Sequence, residues 1–259
     1  MAPEDVKEFL LEKADQYEVP DFLPHDPLSI PHRYSDRRDV EVAAFFAATL
    51  AWGNRVSILK SLDDLMARMD HAPGAFVDGH ETSDLRVFEG FVHRTFQAED
   101  ACGFVRGLSQ LMAVHGSLER AMMAGWSQPS RPEGLRDALT AFHHAFLDCS
   151  GVAPRTKKHV ANPAAGSAAK RLNMFLRWMV RSSARGVDLG LWKGISPSVL
   201  HIPLDVHTSN VGRKLGLLKR KSNDWKAVEE LTSSLRAIDS EDPVRLDFAL
   251  FGLGAMEGF

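Results

Sequence analysis

An all-α fold is predicted from three observations. Apolar residues recur at i, i+3, i+4 and i+7 over most of the chain. No run of four or more residues combines apolar alternation with β-branched enrichment, so strands are not expected. Proline and glycine mark the breaks, as in the stretch 20–33 with its four prolines and at Gly53.

Taken in order, Pro3 to Tyr17 places Val6, Phe9, Leu10 and Ala14 on one stripe and reads as an amphipathic helix. Pro20 to Arg33 reads as an extended connector, because proline removes a backbone donor and blocks the preceding turn. Ser35 is the expected N-cap of the next helix, with Asp36 and Asp39 favouring its positive end. Its body, Val40 to Trp52, is apolar on almost every side and so should be central and buried. After Gly53, Arg55 to Met69 resumes with Ile58, Leu62, Leu65 and Met66 at helical spacing. Pro73 to Phe96 is loop-rich, with a short helix at Gly74 to Asp78. Helices follow at Ala98 to His115 and Leu135 to Asp148, with a turn from Ser117 to Gly125 and a loop from Gln128 to Gly134 between them. Gly151 to Pro163 reads as a polar, basic linker. Asp242 to Phe259 opens with Asp-Pro as N-cap and N1 and closes the core as an apolar helix. Gly252 and Gly254 there permit close helix contact.

A chain of 259 residues suits one large domain or two intimate lobes. With 44% hydrophobic and 25% charged residues its composition is that of a soluble globular protein. No apolar run approaches a membrane span, and the acidic, amphipathic N-terminus is unlike a targeting peptide, so a cytoplasmic location is expected. Cys102 and Cys149 are too few for a disulfide framework, a four-cysteine zinc site or an iron–sulfur cluster. Charge is segregated along the chain. Residues 1–150 carry 14 Lys/Arg against 24 Asp/Glu, whereas 151–225 carry 14 against 3. The basic block, in which Arg213, Lys219, Arg220 and Lys221 cluster, is either a polyanion-binding face or a solvated surface.

Two residues within that block suggest chemistry. Lys170 follows the small-residue run PAAGSAA, which admits close approach, and it precedes the apolar Leu172, Met174, Phe175 and Leu176. Partial burial favours the free amine that Schiff-base chemistry requires, whereas a surface lysine in a first turn does nothing of the kind. Asp205 stands in IPLDVHT where a new helical stripe begins; it is either an N-cap alone or a rigidly held carboxylate beside a reacting centre. Asn54 and Arg55 sit in a polar loop between two buried helices. They either reach a ligand or DNA strand, or they follow a simple helix end at Gly53 with Arg55 paired to a carboxylate.

LDVHTSNVGRKLGL (204–217) resembles the helix-hairpin-helix DNA glycosylases of the endonuclease III and 8-oxoguanine glycosylase type. Lys170, Arg171, Leu172 and Asn173 with the apolar residues after them are similar to that family's lysine-bearing helix, and FFAATLAWGNRVSILKSL to its early helix pair. The resemblance implies two helical lobes around a cleft, 35–150 and 151–259 with 1–34. It also implies a nucleophile at Lys170 and a stabilising carboxylate at Asp205. The residues it would bring to DNA are Asn54, Arg55, Gly166, Arg171, Asn173, His207, Arg213, Lys219, Arg220 and Lys221. The activity implied is excision of a damaged base from a flipped nucleotide, with or without lyase cleavage, by a monomer needing no cofactor or metal. RNA is a second possible substrate. The family's glycine hairpin and cluster cysteines are missing, Gly166 stands further from the lysine than that hairpin would place it, and the spacing from Lys170 to Asp205 is long, as in archaeal 8-oxoguanine glycosylases. RLNMFLRWMVR, VDLGLW and PLDVHT also resemble a bacterial family of unknown function.

Other readings are a nucleic-acid-binding scaffold of the same fold without chemistry, and a metal-dependent hydrolase using His201, Asp205, His207 and Asp242. Ser167-x-x-Lys170 matches an acyl-enzyme pattern, but its partner motifs are missing. Trp178 and Trp192 are either base-stacking platforms or core.

Overall fold

A computed structural model describes residues 3–127 and 131–259. The protein is all-α: its described residues form eleven α-helices, short 3₁₀ turns and one two-stranded hairpin. They divide into two compact units. One comprises Met1–Asp21, Gln128–Arg136 and Asn162–Phe259; the other comprises Phe22–Ser127 and Asp137–Ala161.

The second unit is built on α2 (Arg37–Leu50), in which every residue from Val40 to Leu50 is buried. Phe45 and Phe46 meet Phe104 of α5 (Ala98–His115) at ring separations of 5.6 and 5.8 Å. Phe146, from α7 (Leu135–Leu147), closes the cluster 5.0 Å from Phe104. Around this core lie α3 (Arg55–Arg68), α4 (Pro73–Gly79) and α6 (Leu118–Met123). The N-cap of α2 is Asp36, not Ser35, since its Oδ1 accepts the N–H groups of Arg38 and Asp39.

Three departures from the sequence reading fall in this unit. The proline-rich stretch is not extended: it forms 3₁₀ turns at Pro20–His25, Pro27–Ser29 and Pro31–Arg33, each with proline first, where its fixed φ fits and its missing N–H costs nothing. From Phe22 onward it belongs here and not with the N-terminal helix, because its turns pack on α2 and α3. Two strands exist, β1 (Val92–His93) and β2 (Phe96–Gln97), too short for alternation to reveal. Residues 151–161 are no linker, because Thr156 is buried and its hydroxyl donates to Asp100 at 2.9 Å, while Arg155 donates to Gln97 at 2.7 Å. The expected loop at 128–134 lies partly outside the described residues; Pro132–Gly134 is a 3₁₀ turn of the first unit that packs on Pro197–Val199 of that same unit.

The first unit contains α1 (Pro3–Tyr17), α8 (Lys170–Val180), α9 (Val206–Lys214), α10 (Trp225–Ile238) and α11 (Leu246–Ala255). α1 and α9 both pack on α11. The approach is close because a Cβ at Gly252 would lie 2.3 Å from the Tyr17 ring, and one at Gly254 2.9 Å from His207 Cβ. α10 had no counterpart in the sequence reading, although Trp225, Val228, Leu231 and Leu235 form its buried stripe. α11 begins at Leu246 after a 3₁₀ turn, and Asp242 does not cap it but pairs with Arg181.

Candidate functional site

α8 starts at Lys170 and not at Gly166, because Ala169 adopts a left-handed φ of 47° and breaks the helical path. The irregular segment before it is tied down at several points. Asn162 accepts the N–H groups of Ala164 and Ala165, and Ser167 Oγ accepts that of Ala169 at 3.2 Å. Gly166 turns at φ 89°, which requires glycine, and its carbonyl accepts the Trp225 N–H at 3.2 Å. Asn173 reaches back from inside α8 to donate to the Ala168 carbonyl at 3.2 Å. Lys170 therefore projects from a fixed platform.

Asp205 is the N-cap of α9, its Oδ1 accepting Thr208 N–H at 2.8 Å. Its Oδ2 lies 3.2 Å from Lys170 Nζ, across 35 residues of sequence. The lysine side chain is 38% exposed and the aspartate 12%, so a carboxylate and an amine meet at a surface that solutes can reach. An ion pair this open stabilises the fold by at most about 1 kcal/mol. Its position at two helix starts is thus poorly explained by stability alone.

Directly behind the pair lies Asp247, in the first turn of α11 and 6% exposed. Its Oδ1 accepts the Thr208 hydroxyl at 3.3 Å and its Oδ2 accepts Arg177 Nη1 at 2.5 Å. Burial raises Asp247 to about 6; Asp205 pushes the same way, and Arg177 and Lys170 oppose it. Lys170, Asn173, Arg177 and Arg181 recur along one face of α8. Arg177 and Arg181 both reach Asp188, and Arg181 also binds Glu18 and Asp242. Burial alone would depress Arg181, and the carboxylates around it more than reverse that. The pair thus fronts a buried network of charges. Neither Asp247 nor Arg177 was singled out in the sequence, although Asp247 interrupts an otherwise apolar helix and Arg177 stands seven residues after Lys170.

Several expected nucleic-acid contacts are corrected. Asn173 is 1% exposed and serves the turn before α8. Arg213 donates to the carbonyls of Arg220 and Lys221 and to Asn223 Oδ1, so it fastens a loop. Arg220 is held by Asp224 through Nε at 2.7 Å. Arg171 is half-buried, and burial lowers it. Gly166, Lys219 and Lys221 remain exposed, as does His207, whose ring meets the edge of Phe251 at 5.8 Å. Asn54 and Arg55 belong to the other unit; Asn54 is the N-cap of α3, its Oδ1 accepting the N–H groups of Val56 and Ser57. Both are exposed.

The broad basic face is also thinner than its sequence suggests. Arg155 pairs with Glu99 and Asp100, Arg185 with Asp15 and Glu18, and Arg177 and Arg181 are buried among acids. Trp178 and Trp192 are fully buried core residues, unable to stack on a base. His201 lies stacked on Trp225 at 5.3 Å, and burial pushes it down to about 3; Asp242 is taken by Arg181. Those two are therefore not arranged with Asp205 as metal ligands. Among the described residues no group of three His, Cys, Asp or Glu side chains is placed to hold an ion. Among the same residues no helix is long and apolar enough to cross a membrane.

The family described as a protein of unknown function, DUF2400, matches residues 26–256. No curated protein and no solved structure matches the chain.

Proposed function

The chain belongs to the DUF2400 family, whose description carries no activity, and we propose, from the site together with the sequence resemblance, that it is a DNA glycosylase with lyase activity, of the helix-hairpin-helix type. The observation that carries this reading is the 3.2 Å approach of Lys170 Nζ to Asp205 Oδ2 at a half-open surface. A lysine heading one helix and an aspartate capping the next is also the arrangement that the resemblance implies.

The chemistry follows from the pair. Lys170 passes a proton to Asp205 and attacks the sugar C1′ with the freed lone pair. The Nζ–C1′ bond forms as the bond from C1′ to the base breaks, and the base leaves with the bonding electrons and takes the proton from Asp205. Once it has given up that proton, the Asp205 carboxylate is ionised again and faces the cation formed at Nζ and on the sugar. A proton of the new C1′ ammonium passes by way of Asp205 to O4′ as the C1′–O4′ bond breaks, leaving the iminium ion. Asp205 then takes the C2′ proton, and those C–H electrons form the C2′–C3′ double bond as the 3′ phosphate leaves with the electrons of its C3′–O bond. A base must leave the stack for this attack to occur. Exposed Lys219 and Lys221, with Gly166, supply phosphate-facing groups on the same unit.

Borohydride reduction in the presence of a duplex containing an abasic site tests the reading. A covalent protein–DNA adduct is expected, and it should vanish in Lys170→Ala. Absence of any adduct with the parental protein removes the lyase mechanism.

A further inference from the structure

Asp247 is not needed to form the Lys170–Asp205 pair, yet it joins the two helices that carry it. Through Arg177 it holds α8 two turns beyond Lys170, and through the Thr208 hydroxyl it holds the first turn of α9. Thr208 in turn gives its N–H to Asp205 Oδ1, so a single residue links Asp247 to the reacting carboxylate. We propose that Asp247 is the positioning residue of this site: a buried carboxylate that sets the spacing of Lys170 and Asp205 and supplies a second negative charge behind them. The proposal rests on the glycosylase reading for its chemistry, though its geometry stands without it.

The groups around Asp247 define its charge state. Arg177 faces it from α8, Asp205 from the turn before α9, and Lys170 from the start of α8. Asp188 stands beyond Arg177, while Arg245, two residues away, is engaged by Asp15 and Glu18 of the N-terminal segment. Asp205 and Lys170 act on Asp247 in opposite senses, Asp205 raising its carboxyl and Lys170 lowering it. A buried carboxylate that faces both members of the pair does more than set their spacing, because its ionisation adds attraction for any cation formed at Lys170 or on the sugar.

The test follows the Asp247 carboxyl by carbon NMR in the free protein and needs no DNA. Its midpoint, expected at about 6, should fall in Asp205→Asn and rise in Lys170→Met. A midpoint that moves in neither variant overturns the inference, whatever the protein does to DNA. In a second arm, borohydride trapping is measured against pH. The parental rate should rise through an inflection near 6, and Asp247→Asn should lose the inflection and about tenfold in rate above it. Thr208→Val should slow trapping and Thr208→Ser should restore it. A parental profile without the inflection also overturns the inference. If the parental protein traps nothing at any pH, the glycosylase reading fails alone and the NMR arm still decides the role of Asp247.

Discussion

Asp205 gives one carboxylate oxygen to the Thr208 N–H at 2.8 Å and turns the other toward Lys170 Nζ at 3.2 Å. One side chain thus caps a helix and faces an amine. The two roles separate by mutation. Asp205→Asn keeps a good cap and should leave stability nearly unchanged. On the proposed mechanism it removes the negative charge that would face the sugar, so base excision should fall by about 10²-fold or more. Asp205→Ala should in addition lose about 1 kcal/mol of stability in urea denaturation. Excision at the parental rate in Asp205→Asn would leave the residue a cap only.

Asp247 makes a thermodynamic prediction of its own. Its carboxyl is raised from 3.8 to about 6 in the folded protein. The folded state therefore holds a proton that the unfolded state has released between those values. This contribution to stability is complete below pH 3.8 and is lost as pH rises to about 6. Across that window the parental protein should lose about 2–3 kcal/mol relative to Asp247→Asn. Paired urea titrations at pH 4 and pH 7 measure the difference directly, and a constant gap would contradict it.

Arg181 should be the most sensitive charged position in the first unit. Arg181 is 3% exposed and its guanidinium is shared by Glu18, Asp188 and Asp242. Arg181→Ala removes the arginine that pairs with Asp242 and leaves Glu18 and Asp188 with only their remaining arginines, and should cost about 3–5 kcal/mol. Thermal and urea unfolding report the loss.

Gly252 is expected to accept no side chain. A Cβ there would fall 2.3 Å from the Tyr17 ring, and relief would require α1 to move off α11. Gly252→Ala should cost about 1–3 kcal/mol by overpacking, with the opening of α1 visible as faster amide exchange. Unchanged protection would mean that the ring yields at no cost.

If this unit binds DNA, its exposed lysines should matter and its loop-fastening arginine should act differently. Reversing Lys219 and Lys221 to glutamate should weaken duplex binding and flatten the dependence of log K on log salt by about one per lost phosphate contact. Stability should stay near parental, because both side chains are exposed. Arg213→Ala should instead destabilise the loop it holds through Arg220 O and Lys221 O. Equal salt slopes for the parental and double-reversed proteins would exclude the patch from the interface.

Local physics carried much of the reading of this chain. Helical periodicity placed α1 and α5 at the bounds observed, and the unbroken apolar run of α2 foretold its burial. The Asp205 cap was legible because an N-cap is a matter of three adjacent residues. The unit boundaries depend on where residues 22–34, 131–136 and 151–161 pack, which local pattern does not encode. Charge misled for a related reason. Along the chain the basic block stands apart from the acids. In the folded unit Arg177 finds Asp247, while Arg181 and Arg185 find Glu18, all from distant segments. The most consequential residue of the site was equally hidden. Asp247 in an apolar helix has no local signature of function, and its meaning comes from Arg177, 70 residues away, and Thr208, 39 residues away. The sequence determined most of the helices and placed Lys170 and Asp205 near helix starts, because capping and periodicity act over a few residues. Only tertiary structure decided which charges are paired and which carboxylate stands behind Lys170 and Asp205, because burial and pairing are made by residues far apart in the chain.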